Sequence, residues 1–236
     1  MFTLKIKKNG DFVVKNTIFW HLGEIFCPHT CVSCGKYGGI LCDCCKKYIT
    51  LAHAECCLAC GKPLWNGGCS KCVLPFNKQF YLGARAGILK ELINIYKYRS
   101  VRACGEVIAQ MIVECMKVPE NAFLVPLPTI GKHIRERGFD HTSKLAHQIA
   151  RQAKCKVSPI LMRVNKSMQV GASFEERQIQ AKTAYKLRNN VDRLRKYYLL
   201  DDVWTTGSSM LNATRILQEN KISDINAIIV AKSGGN

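Results

Sequence analysis

Acidic residues are scarce in this chain: 17 Asp and Glu stand against 35 Lys and Arg over 236 residues, a formal net charge of +18. The shortage argues against cationic partners and for phosphate-rich ones, a nucleotide, a nucleic acid or both. Long apolar runs are also missing. No stretch reaches the ~18 apolar residues of a membrane span, so no membrane insertion is expected. Residues Met1 to Gly10 are charged and contain no apolar segment of the signal-peptide kind, so the expected location is cytoplasmic. There thiols stay reduced, and dense cysteines bind metal more readily than they form disulfides.

Cysteine is what the chain has in excess. Of 14, 11 fall between Cys27 and Cys72, while Cys104, Cys115 and Cys155 are scattered through apolar-periodic sequence. The dense part holds four Cys-x-x-Cys pairs: Cys31/Cys34, Cys42/Cys45, Cys57/Cys60 and Cys69/Cys72. Each such turn aims two thiolates at one ion, and two turns complete a tetrahedron, so four pairs imply two Zn²⁺. Spacing admits a sequential pairing, first with second and third with fourth, and an interleaved cross-brace; the sequential one is adopted. Cys44 and Cys56 adjoin ligands and are read as bystanders. With every position filled by thiolate, the zinc is structural and replaces a core too small to fold unaided. The composition turns ordinary near Pro75 to Lys78. The expected domains are therefore 1–78, an N-terminal arm with an Asn9-Gly10 hairpin and a double zinc ribbon, and 79–236.

The second part reads as α/β. Ile88, Leu92, Ile95 and Tyr96, then Val107, Ile108, Met111, Ile112 and Cys115, mark two amphipathic helices. Lys97-Tyr98-Arg99 between them is either a nucleic-acid patch or a solvated helix end. Strands are expected near Leu124, Leu161, Leu187, Leu199 and Ile229, forming a mostly parallel twisted sheet. Lys132, Arg135 and Arg137 follow the first of these strands at once. Clustered cations at a strand end suggest a contact with pyrophosphate or DNA phosphate. From Lys132 to Lys196 Lys and Arg exceed Asp and Glu by 11. The polar run Lys166 to Lys182, with Gln169 and Arg177, reads as a long functional loop.

One stretch carries more chemistry than the rest, Tyr197-Tyr198-Leu199-Leu200-Asp201-Asp202-Val203-Trp204-Thr205-Thr206-Gly207-Ser208-Ser209. It reads as buried strand, two carboxylates, a hydroxyl-rich turn and a helix. Backbone N–H groups around Gly207, the helix start, and the hydroxyls of Thr205, Thr206, Ser208 and Ser209 can surround one phosphate. Asp201 and Asp202 can accept hydrogen bonds from ribose hydroxyls or help hold Mg²⁺. A sugar phosphate suits both halves.

The stretch resembles the phosphoribosyl pyrophosphate (PRPP) loop of type I phosphoribosyltransferases. The resemblance extends to the ComF-type competence proteins through Pro126-Leu127-Pro128, Arg135-Glu136-Arg137-Gly138-Phe139, Met168-Gln169-Val170-Gly171 and Glu176-Arg177. Asp140-His141 stands where that family has Asn-Gln. The resemblance implies a zinc-ribbon module joined to a phosphoribosyltransferase-like domain, with a mobile loop at Gln169 and Arg177 closing over Mg²⁺–PRPP. It also implies a role in natural transformation: binding PRPP and single-stranded DNA, with a helicase and a recombination-loading protein as partners. The alternative is an active phosphoribosyltransferase acting on an unidentified nitrogen acceptor. No general base and no base-reading hood stands out, so no residue is assigned as catalytic.

Overall fold

The computed structural model describes residues 30–49, 56–65, 68–99, 101–164, 184–188 and 191–234. The Asn9-Gly10 hairpin and the polar loop with Gln169 and Arg177 lie outside them. The chain divides into two compact units, residues 1–46 and 47–236.

In the first unit the chain folds tightly around its thiols. The Gly35 N–H donates to the Cys31 carbonyl and the Cys31 N–H to the Lys36 carbonyl, both at 2.9 Å. Gly35 takes a left-handed φ of 72° to close that turn. A short helix, α1 (Asp43–Lys47), carries the last thiol of the group.

The second unit repeats the same knuckle. Gly61 N–H donates to Cys57 at 2.7 Å and Cys57 N–H to Lys62 at 2.8 Å. Two residues attach this second ribbon to the sheet. Leu58 is fully buried in the apolar core, and its N–H donates to the buried side chain of Gln79 at 2.8 Å.

That sheet has five strands: β1 (Gln79–Ala84), β2 (Phe123–Pro126), β3 (Lys156–Val157), β6 (Tyr197–Trp204) and β7 (Ile225–Lys232). They are all parallel, in the order β1-β7-β6-β2-β3. A parallel sheet is covered on both faces, and β7 is accordingly buried at every position. Tyr197 and Leu199 of β6 face the layer that holds Val125, Ala227, Ile229 and the helix α6 (Ser208–Glu219). Tyr198 and Leu200 point the other way. Helices α2 (Gly87–Tyr98), α3 (Arg102–Met116) and α5 (His141–Ala153) follow β1 and β2, and α3 packs on α5. Gly105 permits that approach, since a Cβ there would lie 2.3 Å from Gln148 Oε1.

The strands expected near Leu161 and Leu187 are real but belong elsewhere. As β4 (Leu161–Arg163) and β5 (Tyr185–Leu187) they pair antiparallel with each other, and β1 and β3 take their places. Their burial explains the difference. Each has one buried, one exposed and one half-buried residue, so neither can sit inside a sheet covered on both faces. Two helices are also absent from the sequence expectations, the short α1 and α4 (Gly131–Arg137), which the cation-rich stretch forms.

Candidate functional site

The site exists because two neighbouring strands differ in length. β2 stays paired with β6 only as far as Pro126 against Leu200, whereas β6 continues to Trp204 beside β7. Asp201 and Asp202 therefore lie within β6, where its other neighbour has ended. A cleft of about 180 Å³ opens there, lined by Lys97, Arg137, His141, Arg163, Asp201, Asp202 and Ser209 among others. It sits beyond the carboxyl end of β2, as ligand sites in open α/β sheets do.

Beyond Trp204 the hydroxyl turn encloses a smaller cavity of about 50 Å³, bounded by Asp201 and by Thr205 through Ser209. Thr205, Thr206, Ser208 and Ser209 are exposed, and the Thr206 and Ser208 hydroxyls lie 2.8 Å apart. Gly207 is required on two counts. Its φ is 77°, and a Cβ would stand 2.2 Å from the indole of Trp204, which is itself buried edge-on against Phe76. The turn thus presents its donors outward at the start of α6 while Trp204 supports it from below.

Alternation along β6 sends the two carboxylates into different surroundings. Asp202 Oδ2 forms an ion pair with Lys97 Nζ and lies 2.7 Å from His141 Nε2. Burial works against its charge, yet His141 and then Lys97 hold its carboxyl well below the usual range. Asp201 has no such pair. Burial, and then the charge of Asp202, push it up to about 7. One acid is a fixed anion; the other can take or give a proton near neutral pH.

His141 is oriented from its far side. Arg137 Nη1 lies 3.1 Å from His141 Nδ1, and because a guanidinium only donates, Nδ1 accepts and the ring proton belongs on Nε2, toward Asp202. The Arg137 guanidinium also stands 5.1 Å over the Tyr98 ring. Asp140, before His141, caps α5 by accepting from Ser143 N–H at 3.1 Å and from the Thr129 hydroxyl at 2.9 Å. On the opposite wall Arg163 lies 5.4 Å from the Tyr185 ring centre and donates to the Tyr185 hydroxyl at 3.3 Å.

Of the three cations expected to hold phosphate, Arg137 lines the cleft. Lys132 is 74% exposed and lies 3.9 Å from Glu136, and Arg135 is exposed; neither lines the cleft. Sequence reading missed Lys97, His141 and Arg163. The available signals were weak: Lys97 lay in a patch read as DNA-facing or solvated, and His141 was a departure from a family motif.

The cysteines assemble as two sequential groups, Cys31/Cys34/Cys42/Cys45 and Cys57/Cys60/Cys69/Cys72, with all sulfurs of a group within 4.8 Å of one another. Each could hold a tetrahedral metal ion, and Cys44 is in neither. Crowded thiols repel each other's ionisation. The Cys60 thiol, followed by burial, pushes Cys72 up to about 12, while the Lys71 backbone N–H brings Cys69 down to about 7. A divalent cation resolves that conflict by making all four thiolates favourable.

No family model matches the chain. It is similar to Competence protein F of Haemophilus influenzae, 26% identical over 205 residues, covering 78% of this chain and 87% of the relative. That match bears out the ComF-type resemblance. The two Cys₄ groups fit the double zinc ribbon that the resemblance implies. Among the described residues no helix is long and apolar enough to cross a membrane.

Proposed function

We propose that this chain is a ComF-like factor of natural transformation that binds Mg²⁺–PRPP and single-stranded DNA in the cytoplasm. The observation that carries the reading is the Asp201-Asp202 pair and its hydroxyl turn on a cleft at the carboxyl end of a parallel sheet. In this reading the turn from Thr205 to Ser209 holds the 5-phosphate through hydroxyls and backbone N–H groups. Asp201 and Asp202 meet the ribose hydroxyls, directly or with Mg²⁺, and Arg137 and Arg163 face the pyrophosphate across the cleft. The Cys₄ groups carry structural zinc. A helicase and a recombination-loading protein are the expected partners.

The test is a thermal melt with and without Mg²⁺–PRPP. Ligand at a hundred times its Kd stabilises by about 2.7 kcal/mol, a shift of several degrees. Thr206→Ala with Ser208→Ala should abolish it. No shift at millimolar PRPP would defeat the reading.

One observation favours a second reading. Asp201, held at about 7, can exchange a proton at neutral pH, as a transfer reaction at the anomeric carbon would require. Release of pyrophosphate from PRPP, dependent on an added base, amine or DNA and lost in Asp201→Asn, would establish an active phosphoribosyltransferase.

A further inference from the structure

Because every strand of the sheet is parallel, every chain segment that enters a strand reaches the same end, opposite the cleft. Between Tyr197 and Asp201 alone lie about 13 Å of strand. Those entering segments are unusually basic. Residues 77–78, 117–122, 154–156, 191–196 and 220–224 contain Lys78, Lys117, Lys154, Lys156, Arg193, Arg195, Lys196 and Lys221 against only Glu120, Asp192 and Asp224. Two of the acids are engaged, Asp192 with Arg195 at 2.7 Å and Asp224 with Lys196 at 3.8 Å. The other six cations are exposed and have no carboxylate partner among the described residues.

The backbone supplies a second observation. Among the described residues three non-glycine positions have positive φ, and all three are these lysines: Lys117 at 50°, Lys154 at 54° and Lys221 at 64°. A Cβ is disfavoured in that conformation, and glycine or asparagine is the usual occupant after a helix. Attraction to the helix dipole does not account for the choice, because a lysine one turn earlier would gain it without the strain. What the lysines uniquely supply is a cation at this end of the sheet. Between them Phe123 holds Lys156 at 5.9 Å and Arg195 at 5.1 Å from its ring centre, fixing two charges in place. Leu194, 96% exposed, offers an apolar contact among the charges.

We infer that this amino end of the sheet is the surface that binds single-stranded nucleic acid, separate from the PRPP cleft. The inference rests on the nucleic-acid part of the function proposed above and locates it away from Lys132 and Arg135. Spaced cations track the phosphates and Leu194 contacts a base, which an unpaired strand exposes and a duplex does not. The two ligands then bind without competing.

The experiment is fluorescence anisotropy of a labelled oligothymidine at several salt concentrations, with and without Mg²⁺–PRPP. Lys154→Ala/Lys156→Ala/Arg193→Ala should weaken binding about tenfold at low salt and lower the log–log salt slope by about 2, since each neutralised phosphate contributes roughly 0.7. All three side chains are exposed, so the fold and the PRPP melting shift should be unchanged. Lys132→Ala/Arg135→Ala should bind the oligonucleotide as wild type does. The reverse pattern, or displacement of the oligonucleotide by PRPP, overturns this location while leaving nucleic-acid binding intact. A duplex bound more tightly than the single strand overturns the choice of ligand. No binding by the wild type at low salt overturns the location and the nucleic-acid reading together.

Discussion

Replacing Asp202 by Asn tests the cleft as a physical object, whatever it binds. Asp202 is 11% exposed at its side chain, and Lys97, its ion-pair partner, is 12% exposed. Asn keeps the volume but removes the charge, leaving the buried Lys97 ammonium without its ion-pair partner. Breaking a buried pair from one side costs about 3–5 kcal/mol, mostly the penalty of the abandoned charge. For a unit of this size each kcal/mol moves the melting temperature by about 2–4 °C, so Asp202→Asn should melt about 10 °C lower at neutral pH. His141 keeps at most a neutral amide oxygen as its acceptor in the same variant, which adds to the cost. Adding Lys97→Met should recover part of the loss, because the ammonium left behind by the first substitution is then gone. A single variant melting within 2 °C of wild type, or a double variant no better than the single, would refute this account of the cleft.

Asp201 should behave in the opposite sense. Its carboxyl keeps its proton up to about 7 in the folded chain but loses it near 4 when unfolded, so over that interval the folded state binds more protons. Stability from this group is therefore present below about 4 and lost as pH rises toward 7. Asp201→Asn should flatten that part of the profile and leave the protein at least as stable as wild type at pH 8; a variant less stable there would contradict the assignment. Asp202, with its carboxyl held low, contributes stability that is present above about 4 and lost in acid. For the cysteines, elemental analysis should give two zinc ions per chain, and one or none would reject the double ribbon. Cys57→Ser should make the second ribbon protease-sensitive, since structural zinc affinity is largely folding free energy. A resistant variant would count against that role.

What the sequence alone determined is what short spacing can encode. A Cys-x-x-Cys turn aims two thiols at one point wherever it is placed, and two apolar runs around Asp201 to Ser209 can hardly be read except as strand, turn and helix. The buried face of α6, Met210, Ala213, Thr214 and Leu217, follows from helical spacing in the same way. Only the tertiary structure decided which strands share a sheet, because Leu161 and Leu187 look apolar in sequence whichever partner they choose. It also decided the character of the two acids. Adjacent in the chain, they differ because strand alternation delivers Asp202 to Lys97 from α2 and His141 from α5, residues far away in sequence. The gathering of entering segments at one end has the same origin. Five parallel strands bring Lys78, Lys117, Lys154, Arg193 and Lys221 to one edge, and no local pattern announces it, because charge adds up over distance in space and not along the chain.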